Sequence, residues 1–120
     1  MSHPSNCISI HPYFKAHPGK LDEIKASLPG FLSKTATEKG NLYYDFTLNG
    51  DLLFCREAYV DAAAVLAHLA NVGPLLQEFL KIADVTRLEI HGPAVELKKL
   101  EAPFAPFNPT LFTCQTGLSL

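Results

Sequence analysis

The 120-residue chain is expected to fold as an α+β domain built on an antiparallel sheet in the element order βαββαβ, and three observations carry that expectation. Four short runs alternate apolar and polar residues, the pattern of strands half-buried against a core. Two stretches between them carry apolar residues at helical spacing. Asn49-Gly50 joins the second and third alternating runs, and a type I′ turn needs positive φ at both central residues, so these runs form a hairpin. The order βαββαβ is that of the ferredoxin-like fold.

From Cys7 to Ala16 one face holds Ile8, Ile10, Pro12 and Phe14 and the other holds Ser9, His11, Tyr13 and Lys15, which gives the first strand. After Pro18-Gly19, the residues Leu21, Ile24, Leu28, Phe31 and Leu32 recur at helical spacing, and the helix is expected to run to about Glu38. Pro29 removes a backbone donor from its middle, which predicts a kink, and Gly40 stands where a left-handed C-terminal cap belongs. The second strand places Leu42, Tyr44, Phe46 and Leu48 on one face, and the third returns from Leu52 to Val60. Asp61 caps the second helix, whose stripe is Val65, Leu66, Leu69 and Val72. Gly73-Pro74 is expected to break this helix, with Pro74 opening a further piece that carries Leu75, Leu76, Phe79, Leu80 and Ile82. Val85 to His91 is the fourth strand, ended by Gly92-Pro93.

The chain therefore divides into a domain over residues 1–92 and a C-terminal extension over residues 93–120. In the extension, Ala94 to Glu101 suits a short helix, Pro103, Pro106 and Pro109 argue against regular structure, and Thr110 to Leu118 alternates as a fifth strand. An arm of this kind needs a sheet edge, and the edge of an identical subunit supplies one, so a homodimer with strand exchange is expected.

Composition narrows the function. With 48% hydrophobic residues and a formal charge of −2, the chain suits a single globule with its own core. Ten basic residues against twelve acidic ones, with no basic run, argue against nucleic acid or an anionic membrane as the main partner. The apolar runs fall far short of the ~20 residues of a membrane helix. The first twenty residues, with His3, His11 and His17 each followed by proline, lack the pattern of a signal peptide. Cys7, Cys55 and Cys114 are odd in number and form no CxxC pair, so reduced thiols and a cytoplasmic setting are expected. No histidine pair at helical i, i+4 spacing and no cysteine cluster offers a metal site, and no dinucleotide fingerprint, phosphate loop or nucleophile elbow is present. Neither metal nor cofactor is expected.

The order of elements, Gly40-Asn41-Leu42-x-Tyr44-Asp45, the Glu57-Ala58-Tyr59 end of the third strand and Ala67-His68-Leu69 before an interrupted helix resemble the antibiotic biosynthesis monooxygenase family over roughly residues 6–92. The resemblance implies a dimeric α+β barrel with two four-stranded sheets facing each other, and a pocket for a small aromatic or quinone-like molecule between sheet and helices. Tyr59 stands where members usually carry Trp, and Gln77-Glu78-Phe79 stands where haem-degrading relatives place their axial His. The resemblance therefore does not extend to haem degradation.

The first strand turns Ile8, Ile10, Pro12 and Phe14 toward the helices, and Leu42, Tyr44 and Phe46 are expected on the same side. In the third strand the face Leu53, Cys55, Glu57, Tyr59 competes with Phe54, Arg56, Ala58, Val60, and the resemblance points the Tyr59 face to the pocket. Glu57 would then be an acid beside two phenols with a raised pKa, a candidate proton carrier; its structural alternative is an ion pair with Arg56 or Arg87. His68, one step from the Val65/Leu69 stripe, is the candidate base, or equally a satisfied structural histidine. Tyr44, Tyr59 and Asn41 are the candidate hydrogen-bond donors to a substrate, Phe14 and Phe46 its apolar contacts, and Cys55 a small buried residue at the same place. His11 and Tyr13, on the opposite face, read as interface residues. The leading expectation, implied by the resemblance, is a cofactor-independent monooxygenase in which a bound phenol or quinol loses a proton and reduces dioxygen directly. The alternatives are an isomerase or tautomerase using the same acid and base, and a dimeric ligand-binding protein.

Overall fold

The computed structural model describes residues 6–118. In chain order the elements are β1 (Ile8–Ala16), α1 (Leu21–Thr35), β2 (Asn41–Asn49), β3 (Leu52–Tyr59), α2 (Ala62–Phe79), β4 (Ala83–Gly92), α3 (Ala94–Phe104), a 3₁₀ turn (Ala105–Phe107) and β5 (Thr110–Thr113). The sheet order is β2-β3-β1-β4-β5; β1 to β4 pair antiparallel and β5 joins β4 in parallel. The fold is the expected α+β ferredoxin-like one, with the sheet extended by β5.

Alternation in sequence becomes alternation in burial. Ile8, Ile10 and Phe14 of β1, Leu53, Cys55 and Tyr59 of β3, and Leu88 and Ile90 of β4 are all buried. Two apolar clusters result, one around Ile8, Val65, Ile90 and Leu100, the other around Phe14, Phe31, Val72 and Phe79. In the second cluster Phe79 meets Phe14 and Phe31 edge to face, with ring centroids 5.0 and 5.6 Å away. The other sheet face carries His11, Tyr13, Phe54 and His91 in mutual ring contact, with Phe112 stacked on His91.

The hairpin forms one residue later than the sequence suggests. Asn49 pairs with Leu52, so Gly50 and Asp51 are the central residues, and only Gly50 has positive φ. A glycine first with an ordinary residue second is the type II′ pattern.

Two helix expectations are corrected. α1 ends at Thr35, short of Glu38, and Gly40 is not a left-handed cap. Gly40 is instead required by close approach, since a Cβ there would lie 2.4 Å from the Ala64 Cβ at the start of α2. α2 runs unbroken through Gly73-Pro74 to Phe79. A proline inside a helix costs about 3 kcal/mol, whereas each large apolar side chain buried contributes roughly 1.5–3 kcal/mol. The stripe Val65, Leu69, Val72, Leu76, Phe79 keeps one helical phase across Pro74, and all of it is buried or packed against the core. Asp61 caps α2 as expected, accepting the Ala64 N–H at 2.8 Å.

The extension is more regular than its prolines suggest. Pro103 is accommodated in the last turn of α3 and Pro106 at the start of the 3₁₀ turn. β5 stops at Thr113, and the edge it uses is β4 of its own chain, so the arm does not reach away from the core. Leu97, Leu100 and Phe104 of α3 enter the first apolar cluster.

The contact beneath Gly40 makes a paired prediction. Gly40→Ala pushes a methyl against Ala64 and lowers stability by about 1–3 kcal/mol. Gly30→Ala, whose Cβ meets only the Leu75 side chain at 3.6 Å inside α1, raises it by about 0.5–1 kcal/mol. Urea midpoints of the two variants move in opposite directions.

Candidate active site

Every second residue of β3 from Leu53 points to the helices, so Cys55, Glu57 and Tyr59 share one side with Tyr44 and Phe46 of β2. α2 crosses over them and brings His68 down beside both tyrosines, with ring centroids 5.2 Å from Tyr44 and 5.1 Å from Tyr59. At Pro12 the missing N–H interrupts the β1–β3 ladder, which pairs at Ile10↔Glu57 and resumes at Tyr13↔Phe54. This gap in the ladder lies in the floor of the site.

The polar centre is a row of four groups. Tyr59 Oη donates to Glu57 Oε1 at 2.7 Å. His68 Nε2 stands 3.7 Å from the same Glu57 oxygen, beyond hydrogen-bond length. On its other side, His68 Nδ1 meets Glu38 Oε2 at 2.9 Å and Oε1 at 3.1 Å. Asn71 fixes Glu38 by donating to its Oε2 at 2.9 Å, while also donating to the Lys34 carbonyl at 2.8 Å. A carboxylate opposite Nδ1 holds the ring proton there and leaves the Nε2 lone pair facing Glu57.

Burial sets the charges. It pushes the Glu57 carboxyl up to about 7, against the opposing hydrogen bonds from Tyr59 and Cys55. It pushes His68 below its ordinary value, with Glu38 acting the other way. At neutral pH the imidazole is therefore neutral and basic at Nε2, while Glu57 is shared between its protonated and ionised forms. Burial raises Tyr44, Tyr59 and Cys55 far above their ordinary values, so all three keep their protons. As a thiol, Cys55 is no nucleophile.

Phe14, Tyr44, Phe46, Cys55, Glu57 and His68 all line one cavity of about 80 Å³ between sheet and helices. Two expected contacts do not. Asn41 sits at a β-bulge, where its amide donates to the Tyr43 and Ala58 carbonyls at 3.1 and 3.3 Å. Tyr59 is fully buried behind Glu57 and acts on that carboxyl, not on the cavity. The same bulge leaves Leu42 half-exposed, off the expected face. The ion pairs also differ from the structural alternative for Glu57. Arg56 binds Asp45 through two hydrogen bonds of 2.8 Å, and Arg87 pairs with Glu89. The wider cleft on the open sheet face, about 320 Å³, is lined by that Arg56–Asp45 pair with His11, Tyr43 and Phe54. Glu57 also borders this cleft, but His68 does not, so the cleft lacks the base of the inner cavity.

Sequence reasoning missed Glu38 and Asn71, and also Phe31 of the cavity wall; of Phe104, Phe107 and Phe112, which the sequence offers as either a lid or edge packing, the first two line the cavity and Phe112 does not. One signal was available: His68 and Asn71 are three apart on α2 and so face the same way. Among the described residues no group of three His, Cys, Asp or Glu is placed to hold a metal ion, and no helix is long and apolar enough to cross a membrane.

The family model of antibiotic biosynthesis monooxygenase matches residues 8–82. The crystal structure of MupZ from Pseudomonas fluorescens is 38% identical, with a TM-score of 0.91 over 97% of this chain and 96% of that one. A conserved protein from Methanosarcina mazei shares the fold at 16% identity and a TM-score of 0.68, over 74% of this chain and 94% of its own. A structure named antibiotic biosynthesis monooxygenase does so at 17% identity and 0.61, over 69% of this chain and 92% of its own. No curated protein matches the chain.

The raised Glu57 fixes a pH dependence. Because the folded state holds its proton up to about 7 while an unfolded Glu releases it near 4.5, the folded state binds more protons across that window. This contribution to stability is present at low pH and is lost as pH rises from about 4.5 to 7, amounting to roughly 3 kcal/mol. Glu57→Gln removes it, so the variant gains on the parent between pH 5 and 7 in denaturant melts. A constant difference across that range would contradict the assignment.

Proposed function

We propose that this chain, which belongs to the antibiotic biosynthesis monooxygenase family, is an enzyme that moves protons on a small, mostly apolar hydroxyketone-like substrate in the cavity beneath α2. The observation that carries the reading is the opposition of a neutral base and a partly protonated acid. His68 Nε2 and Glu57 Oε1 face each other at 3.7 Å in a mostly apolar cavity.

The steps follow from the hydrogen bonds. His68, oriented by Glu38, takes a proton from the carbon or hydroxyl next to the substrate carbonyl. Negative charge grows on the carbonyl oxygen, and Tyr44, which keeps its own proton, donates a hydrogen bond to it. Protonated Glu57 returns a proton at the neighbouring atom, and the product differs from the substrate only in where its hydrogens lie. His68 and Glu57 are the catalytic residues and Tyr44 the substrate donor. Phe14, Phe46 and Cys55 shape the apolar surface, and Glu38, Asn71 and Tyr59 position the first two. Deprotonation of a phenol by itself needs only a base; the second, protonated group favours isomerisation or tautomerisation.

Family membership favours a second reading in which the same base deprotonates a phenol or quinol. The anion then reduces dioxygen, with one oxygen atom entering the ring and the other leaving as water, all electrons coming from the substrate. In either reading the open sheet face, with His11, Tyr13, Phe54 and His91, is where a second copy would dock to form a homodimer.

The test runs a panel of small hydroxyketones in heavy water and follows deuterium uptake by NMR, with hydroquinones and naphthols run in parallel on an oxygen electrode. Deuterium uptake that falls by about 10²–10⁴ in His68→Ala supports the first reading. Oxygen consumption that depends on His68, with no exchange, replaces it by the second. Activity unaffected by His68→Ala in both assays refutes the site itself.

A further inference from the structure

Polarity in the cavity is one-sided. Its polar groups come from β2, β3 and α2, as Tyr44, Cys55, Glu57 and His68. In the direction β3-β1-β4 the floor is apolar, with Pro12 and Phe14 followed by Val85 and Leu88. Pro12 is paired with Leu88, so the floor crosses the sheet as a row. Adjacent strands lie about 4.8 Å apart, which makes this floor about 10 Å wide from β3 to β4. At its far side stand Phe104 and Phe107, with ring centroids 6.3 Å apart, both packed into the cluster that contains Leu88.

This wall is anchored. Buried Glu96 on α3 accepts the Ala62 N–H at 2.9 Å, tying the helix to the start of α2, and Lys99 holds the same carboxylate at 2.8 Å. Leu97 and Leu100 are buried beneath it. Phe104 is buried with them, whereas Phe107 is half-buried on a 3₁₀ turn that contributes no buried residue. Both aromatics lie beyond the family-matched residues 8–82. The cavity volume, about 80 Å³, is well below the ~300 Å³ typical of a ligand pocket. What the pocket admits therefore depends on the wall that can yield.

We propose that Phe104 and Phe107 are the specificity-determining end wall of the site: the substrate carries an apolar tail that lies across β1 and β4, and these two rings set its greatest length. The proposal rests on the preceding reading only in placing the polar head at Glu57 and His68. Phe104 is the fixed stop and Phe107 the adjustable one.

Calorimetric titration of the full chain with 1-alkanols from butanol to dodecanol tests this without turnover. For the parent, affinity rises about fourfold per added methylene until a limiting length, beyond which it stops rising. Phe107→Ala moves that limit to longer homologues, and Phe107→Leu moves it less in the same direction. Phe79→Ala, at the opposite end of the cavity, leaves the limit in place, and His68→Ala weakens all homologues alike without shifting it. Failure of the parent to bind any alkanol overturns the proposal, as does a limit unchanged in Phe107→Ala or shifted by Phe79→Ala. Because only binding is read, loss of the length limit and loss of His68-dependent proton exchange are separate results.

Discussion

The structure turns on one electrostatic constraint, the burial of a carboxyl group and an imidazole under an apolar helix. An ionised carboxylate without partners would cost several kcal/mol in such a place, so it must be neutralised or provided with hydrogen bonds. Glu57 has both remedies, since burial keeps it partly protonated and Tyr59 donates to it. His68 is partnered by Glu38, and Glu38 in turn by Asn71. The polar groups thus form two hydrogen-bonded sets, Tyr59 with Glu57 and His68 with Glu38 and Asn71, that face each other across 3.7 Å, and removing a member leaves its neighbour buried without that partner.

The second set helps to decide how α2 sits. Gly40 lets the start of the helix approach the chain entering β2, Glu96 of α3 binds a free N–H in its first turn, and His68 and Asn71 tie its middle to the end of α1. With these ties at both levels, the apolar stripe from Val65 to Phe79 carries the helix through Pro74. The cavity is consequently bounded by elements whose relative positions are set by hydrogen bonds, the condition for holding reacting groups in one geometry.

Most of the fold was legible because its signals are local. Alternation identified β1 to β4, Asn49-Gly50 the hairpin and Asp61 the start of α2, whereas alternation left two faces of β3 open and only the family resemblance turned Cys55 and Glu57 toward the cavity that His68 of α2 also lines. What failed depended on contacts between distant segments. Gly40 reads as a cap until Ala64 is seen above it, and Pro74 reads as a break until the packing of Leu75 and Leu76 is counted. Asn41 looked like a pocket donor because strand periodicity does not reveal a bulge, and the bulge turns its amide to the backbone. Glu38 carried no signal, lying just past a helix end whose position was itself misjudged. The extension was misread for a similar reason, since three prolines fall at a helix end, a turn and a strand approach, where a missing N–H matters least.

The same desolvation that shapes the core also tunes the site. Removing water raises the acid and lowers the base, so the Glu57 and His68 values, which lie about two units apart in free side chains, are driven toward and past each other. At neutral pH the imidazole of such a pair is uncharged and the carboxyl only partly ionised, which lowers the cost of burying them together. Admitting water would reverse both shifts, restoring an ionised Glu57 and a more basic His68. A substrate that displaces water from the cavity lined by Phe104 and Phe107 therefore strengthens both shifts.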